Sequence, residues 1–351
     1  MNKNIGPLII NVDSTSLSNN ESKLLCSHLI GGVLLFEHNY SDLQQIQSLI
    51  KSIKDINENL LIAIDHEGGM VQRFKDNFTL LPSFESIGAV FNKNKLLAEK
   101  IAYSSGYVAG FELKKIGIDI NFSPVIDLST SSKVLNGRTF SSSPDVVTRL
   151  ASQYIQALID NGIVPTLKHF PGHGCVLSDT HTDISESNLS YEELNVHIDT
   201  FKKLHSKFNI PIMTSHIQFN NIAKDPVTTS SDWLIDISKK IFHSKPFFIS
   251  DDLEMSSISD RYNLSKINIL KKSLISGCNM SIVTTMQNKE IIYKKESYSF
   301  YQKQYIDMLS ELDDIILNSI NLPCSDNLTY NEGNMKSYTE AINCLKEYNK
   351  F

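Results

Sequence analysis

Short runs of Ile, Leu, Val and Phe recur eight times between residues 6 and 285, and longer amphipathic stretches separate them. Most of these runs are continuously apolar, which is typical of parallel strands buried on both faces. The predicted strands cover residues 6–14, 30–38, 60–69, 118–128, 163–170, 210–217, 245–253 and 277–285. Eight strands alternating with helices predict the α/β class and a single (β/α)8 barrel of the TIM type.

The stretches between the strands carry signals for helix starts. Ser190 with Glu193, and Ser41 with Gln44, have the spacing of a capping box, in which each side chain accepts from the other residue's backbone N–H. Apolar residues within 96–113 recur on one helical face. We therefore predict a helix directly after each of the two serines and a long helix across 96–113.

The whole chain is predicted to form one catalytic domain, residues 1–351. Helices are expected near 300–320 and 336–349, and residues 286–351 are too few for a second α/β domain. An open, doubly wound sheet is the structural alternative. The G-x-G-x-x-G turn of that fold does not follow the first predicted strand, which favours the barrel.

Composition and charge narrow the classes of partner. With 41% hydrophobic and 21% charged residues, the chain has the composition of a soluble globular protein. A formal net charge of −6 offers no basic surface, so we expect no nucleic acid partner. We also expect no membrane span, since no apolar stretch reaches roughly 18 residues, and no secretory signal. The cysteines are scattered without a C-x-x-C pair (Cys26, Cys175, Cys278, Cys324 and Cys344), which suits reduced thiols and a cytoplasmic location.

Ionisable side chains gather where the predicted strands end. They are Asp13, His38, Asp65, His66, Glu67, Asp127, Lys168, His169, His216, Asp251 and Asp252. In a parallel barrel the carboxyl ends of all strands meet at one face, and the loops after them build the active site. Because burying unpaired charge is costly, a barrel without a function at that face would not collect these groups. The pattern predicts an enzyme.

The stretch KHFPGHGCVLSDTHTD, residues 168–183, is the densest cluster, and a metal site is the first hypothesis for it. His169 and His173 are four residues apart, a spacing that brings two histidines together only on a helix. Pro171 and Gly172 lie between them and disfavour a helix. We therefore expect no metal and no cofactor, with metal catalysis kept as an alternative.

A Schiff-base aldolase is the second hypothesis, because Lys168 ends a predicted strand. A lysine nucleophile must first lose its proton. His169 beside it could favour that loss, whereas nearby carboxylates would hold Lys168 charged. A charged lysine is better suited to binding hydroxyl groups.

A glycosidase with a carboxylate nucleophile is the third hypothesis. Asp251 closes the seventh predicted strand, where its side chain could face the barrel mouth and attack a sugar. His181 can supply the proton that the leaving oxygen needs, because histidine titrates near neutral pH. Asp179, two residues earlier, could orient the imidazole and stabilise its protonated form. A histidine in this role also avoids a second negative charge facing Asp251.

Four segments of the chain are distinctive: AIDHEGGMVQRF (63–74), NFSPVIDL (121–128), KHFPGHGCVLSDTH (168–181) and SDDLEM (250–255). They resemble the glycoside hydrolase family 3 β-N-acetylhexosaminidases of bacterial cell-wall recycling. The similarity extends over about residues 6–285, and the last two segments in combination are specific to that family. The resemblance implies release of N-acetylglucosamine from the 1,6-anhydro-muropeptide disaccharide inside bacterial cells.

The resemblance also implies roles for individual residues. Asp251 would be the nucleophile, His181 the acid/base and Asp179 its partner. The sugar would be bound by Asp65, Arg73, Arg138, Lys168 and His169. These residue types suit the task, because carboxylates accept from sugar hydroxyls while guanidinium and ammonium groups donate to them. A barrel that binds the sugar without turnover is the alternative.

Four positions depart from the family pattern. Met70 stands where Arg is usual, and His66 where Gln is usual. His38 stands where Arg is common, and Thr180 where Ser is more frequent. None of the four is a predicted catalytic residue, so we expect activity to be retained. We expect the departures to affect substrate affinity and the preference for the distal part of the substrate.

Three further residues near the predicted mouth have more than one interpretation. Asp252 is either a structural neighbour of the nucleophile or a participant in catalysis. His216 either is a hydrogen-bonded core residue or lines the site. His173, between two glycines, either organises its loop, which we expect, or contacts the sugar.

Overall fold

The computed structural model of the protein describes residues 5–129, 135–176, 185–255, 258, 266–284 and 332–348. The strands are β1 (Leu8–Asn11), β2 (Ile30–Leu35), β3 (Leu61–Ile64), β4 (His66–Gly68), β5 (Val71–Gln72), β6 (Ile120–Asn121), β7 (Val164–Pro165), β8 (Leu167–Phe170), β9 (Glu186–Ser187), β10 (Ile212–Thr214), β11 (Gln218–Phe219), β12 (Phe248–Asp252) and β13 (Met280–Val283). The helices are α1 (Asn19–Leu25), α2 (Leu43–Ile56), α3 (Phe84–Phe91), α4 (Lys95–Ile116), α5 (Pro144–Asp160), α6 (Tyr191–Phe208), α7 (Ser238–Ile241), α8 (Lys266–Ser276) and α9 (Glu332–Tyr348).

The main sheet closes on itself. Its nine strand segments run in the order β7-β6-β3-β2-β1-β13-β12-β10-β8, and every neighbouring pair is parallel. The two end segments, β7 and β8, are consecutive pieces of one strand with only Thr166 between them. The backbone N–H of Thr166 donates to the Ser123 carbonyl, and that of Leu167 to the Pro211 carbonyl, each at 3.0 Å. This strand therefore pairs on both sides, and the eight strands form the predicted TIM-type barrel.

Two apolar layers account for the continuous apolar runs of the sequence. The interior of the barrel is filled by Ile5, Ile9, Leu34, Ala63, Ile120, Phe122, Val164, Met213, Ile249, Met280 and Ile282. A larger layer lies between the strands and the surrounding helices, and it takes alternate residues of the same strands, such as Leu8, Val33, Ile62 and Phe248. Because successive side chains of a strand point to opposite faces, both faces of each strand are buried.

The helix starts confirm one capping prediction and correct the other. At α6, Ser190 N donates to the Glu193 carboxylate at 2.8 Å and Glu193 N donates to the Ser190 hydroxyl at 3.3 Å, which is the predicted capping box. The predicted cap at Ser41 is wrong by one residue. Asp42 is the N-cap of α2, and its carboxylate accepts from Gln45 N at 2.9 Å. An ionised carboxylate is favoured at the positive end of the helix dipole, which explains the difference.

A C-terminal helix packs on the outside of the barrel. In α9, Tyr338 stacks on Phe111 of α4 with ring centroids 4.3 Å apart, and its hydroxyl donates to Glu112 at 2.7 Å. This helix overlaps the one predicted near 336–349, while the one predicted near 300–320 lies outside the described residues. None of the helices in the described part of the chain is long and apolar enough to cross a membrane.

Candidate active site

Two predicted site residues lie at the carboxyl ends of their strands, at one mouth of the barrel. Ala63 before the end of β3 and Ile249 in β12 both point into the interior. Asp65 follows two residues after Ala63 and faces the same way, and Asp251 lies in the last part of β12, at the same end of the barrel. Their carboxylates therefore lie at the carboxyl ends of the strands, the end at which barrel enzymes carry their active sites.

Lys168, in β8, joins two carboxylates across the mouth. Its ammonium nitrogen lies 2.8 Å from Oδ1 of Asp65 and 2.7 Å from Oε1 of Glu67. An ammonium group has three N–H donors, so one donor remains for a ligand once both carboxylates are bonded. The structure thus brings Lys168 and Asp65 together as neighbours.

The charge state of Lys168 follows from these contacts. Burial alone would lower its pKa, but the attraction of Asp65 and Glu67 outweighs burial and raises the pKa above its ordinary value. The lysine is therefore protonated at neutral pH. A protonated amine donates hydrogen bonds to hydroxyl groups and is not a nucleophile for a Schiff base.

Arg138 binds the second of these carboxylates through a two-point contact. Its Nε donates to Oε2 of Glu67 at 3.0 Å and its Nη2 donates to Oε1 at 2.8 Å. Burial would raise the pKa of Glu67, but Arg138 and Lys168 outweigh it and lower the pKa to about 2. Glu67 is therefore ionised at neutral pH, and its carboxylate is shared by two cations.

Arg73 completes the group of charges around Asp65. The antiparallel hairpin of β4 and β5 turns the chain back, so that Arg73 returns to the strand end that carries Asp65. Its Nη2 lies 3.5 Å from Oδ2 of Asp65, and its guanidinium carbon lies 5.4 Å from the ring centroid of Phe36. Lys168 and Arg73 together hold the pKa of Asp65 below its ordinary value against the opposing effect of burial. We call Asp65, Glu67, Arg73, Arg138 and Lys168 the charge cluster.

Asp127 fixes the loop that follows β8. Its carboxylate accepts from the backbone N of His169 at 3.1 Å and from that of His173 at 2.7 Å. It also lies 2.8 Å from Nδ1 of His169. Because an ionised carboxylate can only accept, Nδ1 carries the hydrogen, and Nε2 of His169 is left for another partner. In the described part of the chain, no three His, Cys, Asp or Glu side chains are grouped so as to hold a metal ion.

Asp252, the residue after the predicted nucleophile Asp251, is held by several hydrogen bonds. Asp252 accepts from Thr284 N and Glu254 N, each at 3.1 Å, and from the Thr284 hydroxyl. Burial, reinforced by the charge of Asp251, raises the pKa of Asp252 to about 6 despite these hydrogen bonds. The carboxylate of Asp252 therefore ties β12 to the end of β13, which favours its structural interpretation.

His216 is buried and fixes the same strand end. Its Nε2 donates to the Asp252 carbonyl at 2.9 Å, and its Nδ1 lies 2.9 Å from the Thr228 hydroxyl. Of the two interpretations of His216, the hydrogen-bonded core residue fits these contacts.

The predicted acid/base pair, His181 and Asp179, lies outside the described residues, as does Thr180. The nearby His173 is described, and burial lowers its pKa to about 4, an effect that His169 strengthens. The charge of Asp251 acts in the opposite direction on His173, so the two residues lie within electrostatic range of each other. The loop after β8 therefore lies near the end of β12.

Three of the departures from the family pattern occupy different surroundings. His66 is completely buried against Phe74 and Phe78, whose ring centroids lie 6.4 and 5.9 Å from its own. Met70, at the turn of the hairpin, is 74% exposed. His38 stacks on Phe36 at 5.8 Å, the same ring over which the Arg73 guanidinium lies. Of the three, His38 is thus linked to the charge cluster through an aromatic ring.

The structure adds two residues to those predicted to form the site. Glu67 and Asp127 follow strand ends and were visible in the sequence as ionisable groups at the mouth. Neither has a predicted role, because the position of a residue at a strand end does not show which side chain it contacts. Their contacts with Arg138, Lys168 and His169 show that they hold the predicted sugar-binding residues.

Fold and site together define a barrel enzyme with ionised carboxylates and fixed cations at its mouth, an arrangement suited to polar, hydroxyl-rich substrates. The chain belongs to glycosyl hydrolase family 3, since residues 2–308 match the family's N-terminal domain. It is therefore a glycoside hydrolase, and the resemblance found in the sequence is confirmed.

Individual relatives agree with this family membership. The chain is 38% identical over 278 residues to a beta-hexosaminidase of Psychromonas ingrahamii, covering 78% of this chain and 81% of that protein. It is 32% identical over 282 residues to a beta-hexosaminidase of Hydrogenovibrio crunogenus, covering 80% and 78%. The crystal structure of NagZ from Neisseria gonorrhoeae superposes with a TM-score of 0.77 at 27% identity, covering 97% of this chain and 98% of that one. The same protein in complex with N-trifluoroacetyl-D-glucosamine gives a TM-score of 0.78.

Proposed function

We propose that the protein is a retaining β-N-acetylglucosaminidase. Its proposed substrate is the GlcNAc-1,6-anhydro-MurNAc unit of muropeptides, and its proposed role is peptidoglycan recycling in the cytoplasm. The observation that carries the proposal is the position of Asp251 at the barrel mouth that also holds the charge cluster. The beta-hexosaminidase relatives, and the aminosugar analogue bound by NagZ from Neisseria gonorrhoeae, support the choice of N-acetylglucosamine.

In the proposed reaction the Asp251 carboxylate attacks the anomeric carbon, and the bond from that carbon to the leaving oxygen breaks. His181 donates its proton to the leaving oxygen, so the aglycone departs as a neutral alcohol. A water molecule then attacks the same carbon, His181 takes its proton, and Asp251 is released as a carboxylate. Asp179 stabilises the imidazolium form of His181, which is present before the first step and forms again in the second. The sequence of steps needs neither a metal nor a cofactor.

The charge cluster supplies complementary partners for the sugar in this proposal. Asp65 accepts from hydroxyl groups, while Lys168 donates through its remaining N–H and Arg73 and Arg138 donate through their guanidinium groups. His169 bonds the sugar through Nε2, because Asp127 holds its Nδ1–H. Donors and acceptors fixed before binding would orient one ring over the nucleophile at little entropic cost.

Two aryl glycosides that differ in one substituent test the proposal. The protein is incubated with a chromogenic N-acetyl-β-glucosaminide and with the matching β-glucoside, and dye release is followed. Cleavage of the first alone is the expected result. The disaccharide GlcNAc-1,6-anhydro-MurNAc, with and without its peptide, is then assayed by mass spectrometry. Sugar binding without cleavage of any of these compounds would point instead to a barrel that only binds. If the released sugar had the inverted configuration at its anomeric carbon, the retaining mechanism would be refuted.

A further inference from the structure

Glu67 is a buried charge at the active-site mouth to which the proposed reaction gives no task. Its side chain is 1% exposed, and its two oxygens accept from three different N–H donors. Two of these donors belong to Arg138 and one to Lys168, and Oε1 is shared by both residues. A carboxylate this deeply buried is costly unless its partners compensate it, so the contacts of Glu67 require a reason.

The side chains of the charge cluster become more exposed from the interior of the protein toward the solvent. Glu67 is 1% exposed and Lys168 2%, while Arg138 reaches 14%. Asp65 and Arg73, at 18% and 31%, lie nearest the opening. Glu67 therefore lies behind the groups that face a ligand, and a sugar in the mouth would meet its partners before it met Glu67.

The main chain that carries Glu67 is itself fixed. The backbone N of His66 donates to the Asn121 side-chain oxygen, and the Asn121 side-chain nitrogen donates to the His66 carbonyl, both at 2.9 Å. The Tyr154 hydroxyl also donates to that carbonyl, at 3.3 Å. These hydrogen bonds join β4 to β6 and hold residue 67 at a set position above the barrel.

We propose that Glu67 is a positioning residue that holds Arg138 and Lys168 in the arrangement that binds the sugar. The inference rests on the proposed function, since it assumes that these two cations contact the substrate. Arg138 and Lys168 repel one another, and the charge of Arg138 lowers the affinity of Lys168 for its proton. The shared oxygen of Glu67 overcomes this repulsion, and the two-point contact sets the plane of the Arg138 guanidinium. Without Glu67, the two long side chains would separate and would have to be ordered again whenever a sugar binds.

The substitution Glu67→Gln tests the proposal, because it preserves volume and removes the charge. An amide has one acceptor oxygen and an NH2 group, and the NH2 group would face the donors of Arg138 or Lys168. We expect binding of N-trifluoroacetyl-D-glucosamine, measured by calorimetry, to weaken about 10- to 100-fold, the range for lost hydrogen bonds to charged groups. KM should rise more than kcat falls, because the lost interactions are made mainly to the bound sugar. Glu112→Gln is the matched control, a glutamate that accepts from Thr79 and Tyr338 away from the mouth, and its sugar affinity should equal that of the wild type.

A double-mutant cycle with Arg138→Gln separates positioning from a general effect on the fold. If Glu67 acts through Arg138, adding Glu67→Gln to Arg138→Gln should reduce kcat/KM by much less than it does in the wild type. Equal factors in the two backgrounds would mean that Glu67 does not act through Arg138, and the proposal that it holds both cations would be wrong. Sugar affinity unchanged in Glu67→Gln would refute it as well.

Glu67→Asp keeps the test decisive if Glu67→Gln does not fold. Aspartate retains the charge but is one methylene shorter, so it cannot reach both cations as glutamate does. We expect sugar affinity about 3- to 10-fold weaker than that of the wild type, on the order of one ordinary hydrogen bond. Affinity equal to the wild type would show that charge alone suffices and would overturn the positioning role. Wild-type protein that neither binds nor cleaves N-acetylglucosaminides would refute the proposed function and this inference together, whereas an active wild type with unaffected Glu67 variants would refute the inference alone.

Discussion

Replacing His66 is expected to make the stability of the protein less sensitive to acid. The imidazole is completely buried beside Phe74 and Phe78, and neither ring nitrogen has a hydrogen-bond partner among the described residues. Burial, with a smaller contribution from the charge of Arg73, lowers the pKa of His66 from 6.5 to about 3. His66→Gln and His66→Phe both remove the titrating group.

The size and sign of the effect follow from the two pKa values of His66. Below pH 6.5 the unfolded chain takes up a proton at this residue, whereas the folded protein does so only near pH 3. The unfolded state therefore binds more protons in this window, and stability falls as the pH falls from about 6.5 to about 3. One pKa unit corresponds to about 1.4 kcal/mol, so His66 alone should cost about 2 kcal/mol between pH 7 and pH 5.

Urea unfolding at pH 7 and pH 5 measures this difference. Trp233 is the single tryptophan of the chain and is completely buried, so its fluorescence reports on the folded barrel. The loss of unfolding free energy between the two pH values should be about 2 kcal/mol smaller in both His66 variants than in the wild type. His28→Gln, at an exposed histidine, is the control and should keep the wild-type loss. If the His66 variants lose as much stability as the wild type, then His66 is not a buried neutral group and the reasoning fails.

The remaining predictions concern the proposed chemistry. Asp251→Ala should abolish turnover without unfolding the protein, and a fluorinated glycosyl donor should label Asp251 in the wild type; a label on another carboxylate would contradict the assignment. Lys168→Ala and Arg138→Ala should each lower kcat/KM about 10-fold or more, mainly through KM, and unchanged values would remove them from the site. His181→Ala should slow the natural disaccharide by orders of magnitude but an activated phenyl glycoside far less, with an initial burst and recovery by azide. Asp179→Ala should give a milder form of this pattern. If His181→Ala slows both substrates equally and azide does not restore turnover, then His181 only shapes the pocket.

The contacts within the charge cluster show where prediction from the sequence stopped. Asp65 and Lys168 are 103 residues apart in the chain, and Glu67 and Arg138 are 71 apart. A strand pattern assigns each residue to the mouth, but which cation meets which carboxylate depends on the closure and register of the barrel. Glu67 is the clearest case. Asp65, two residues earlier, was predicted to bind the sugar, whereas Glu67 contacts Arg138 and Lys168 from a more buried position.

What the sequence determined by itself is the set of strands, the barrel and the end of the barrel at which the site lies. These follow from local regularities, namely apolar runs of strand length and ionisable residues directly after them. Only the tertiary structure decided that His66 is buried among aromatic rings while Met70 is exposed four residues on, and that Asp127 is joined to His169. Such outcomes depend on side chains that meet across distant segments, and neither periodicity nor spacing along the chain encodes the direction in which a side chain finds its partner.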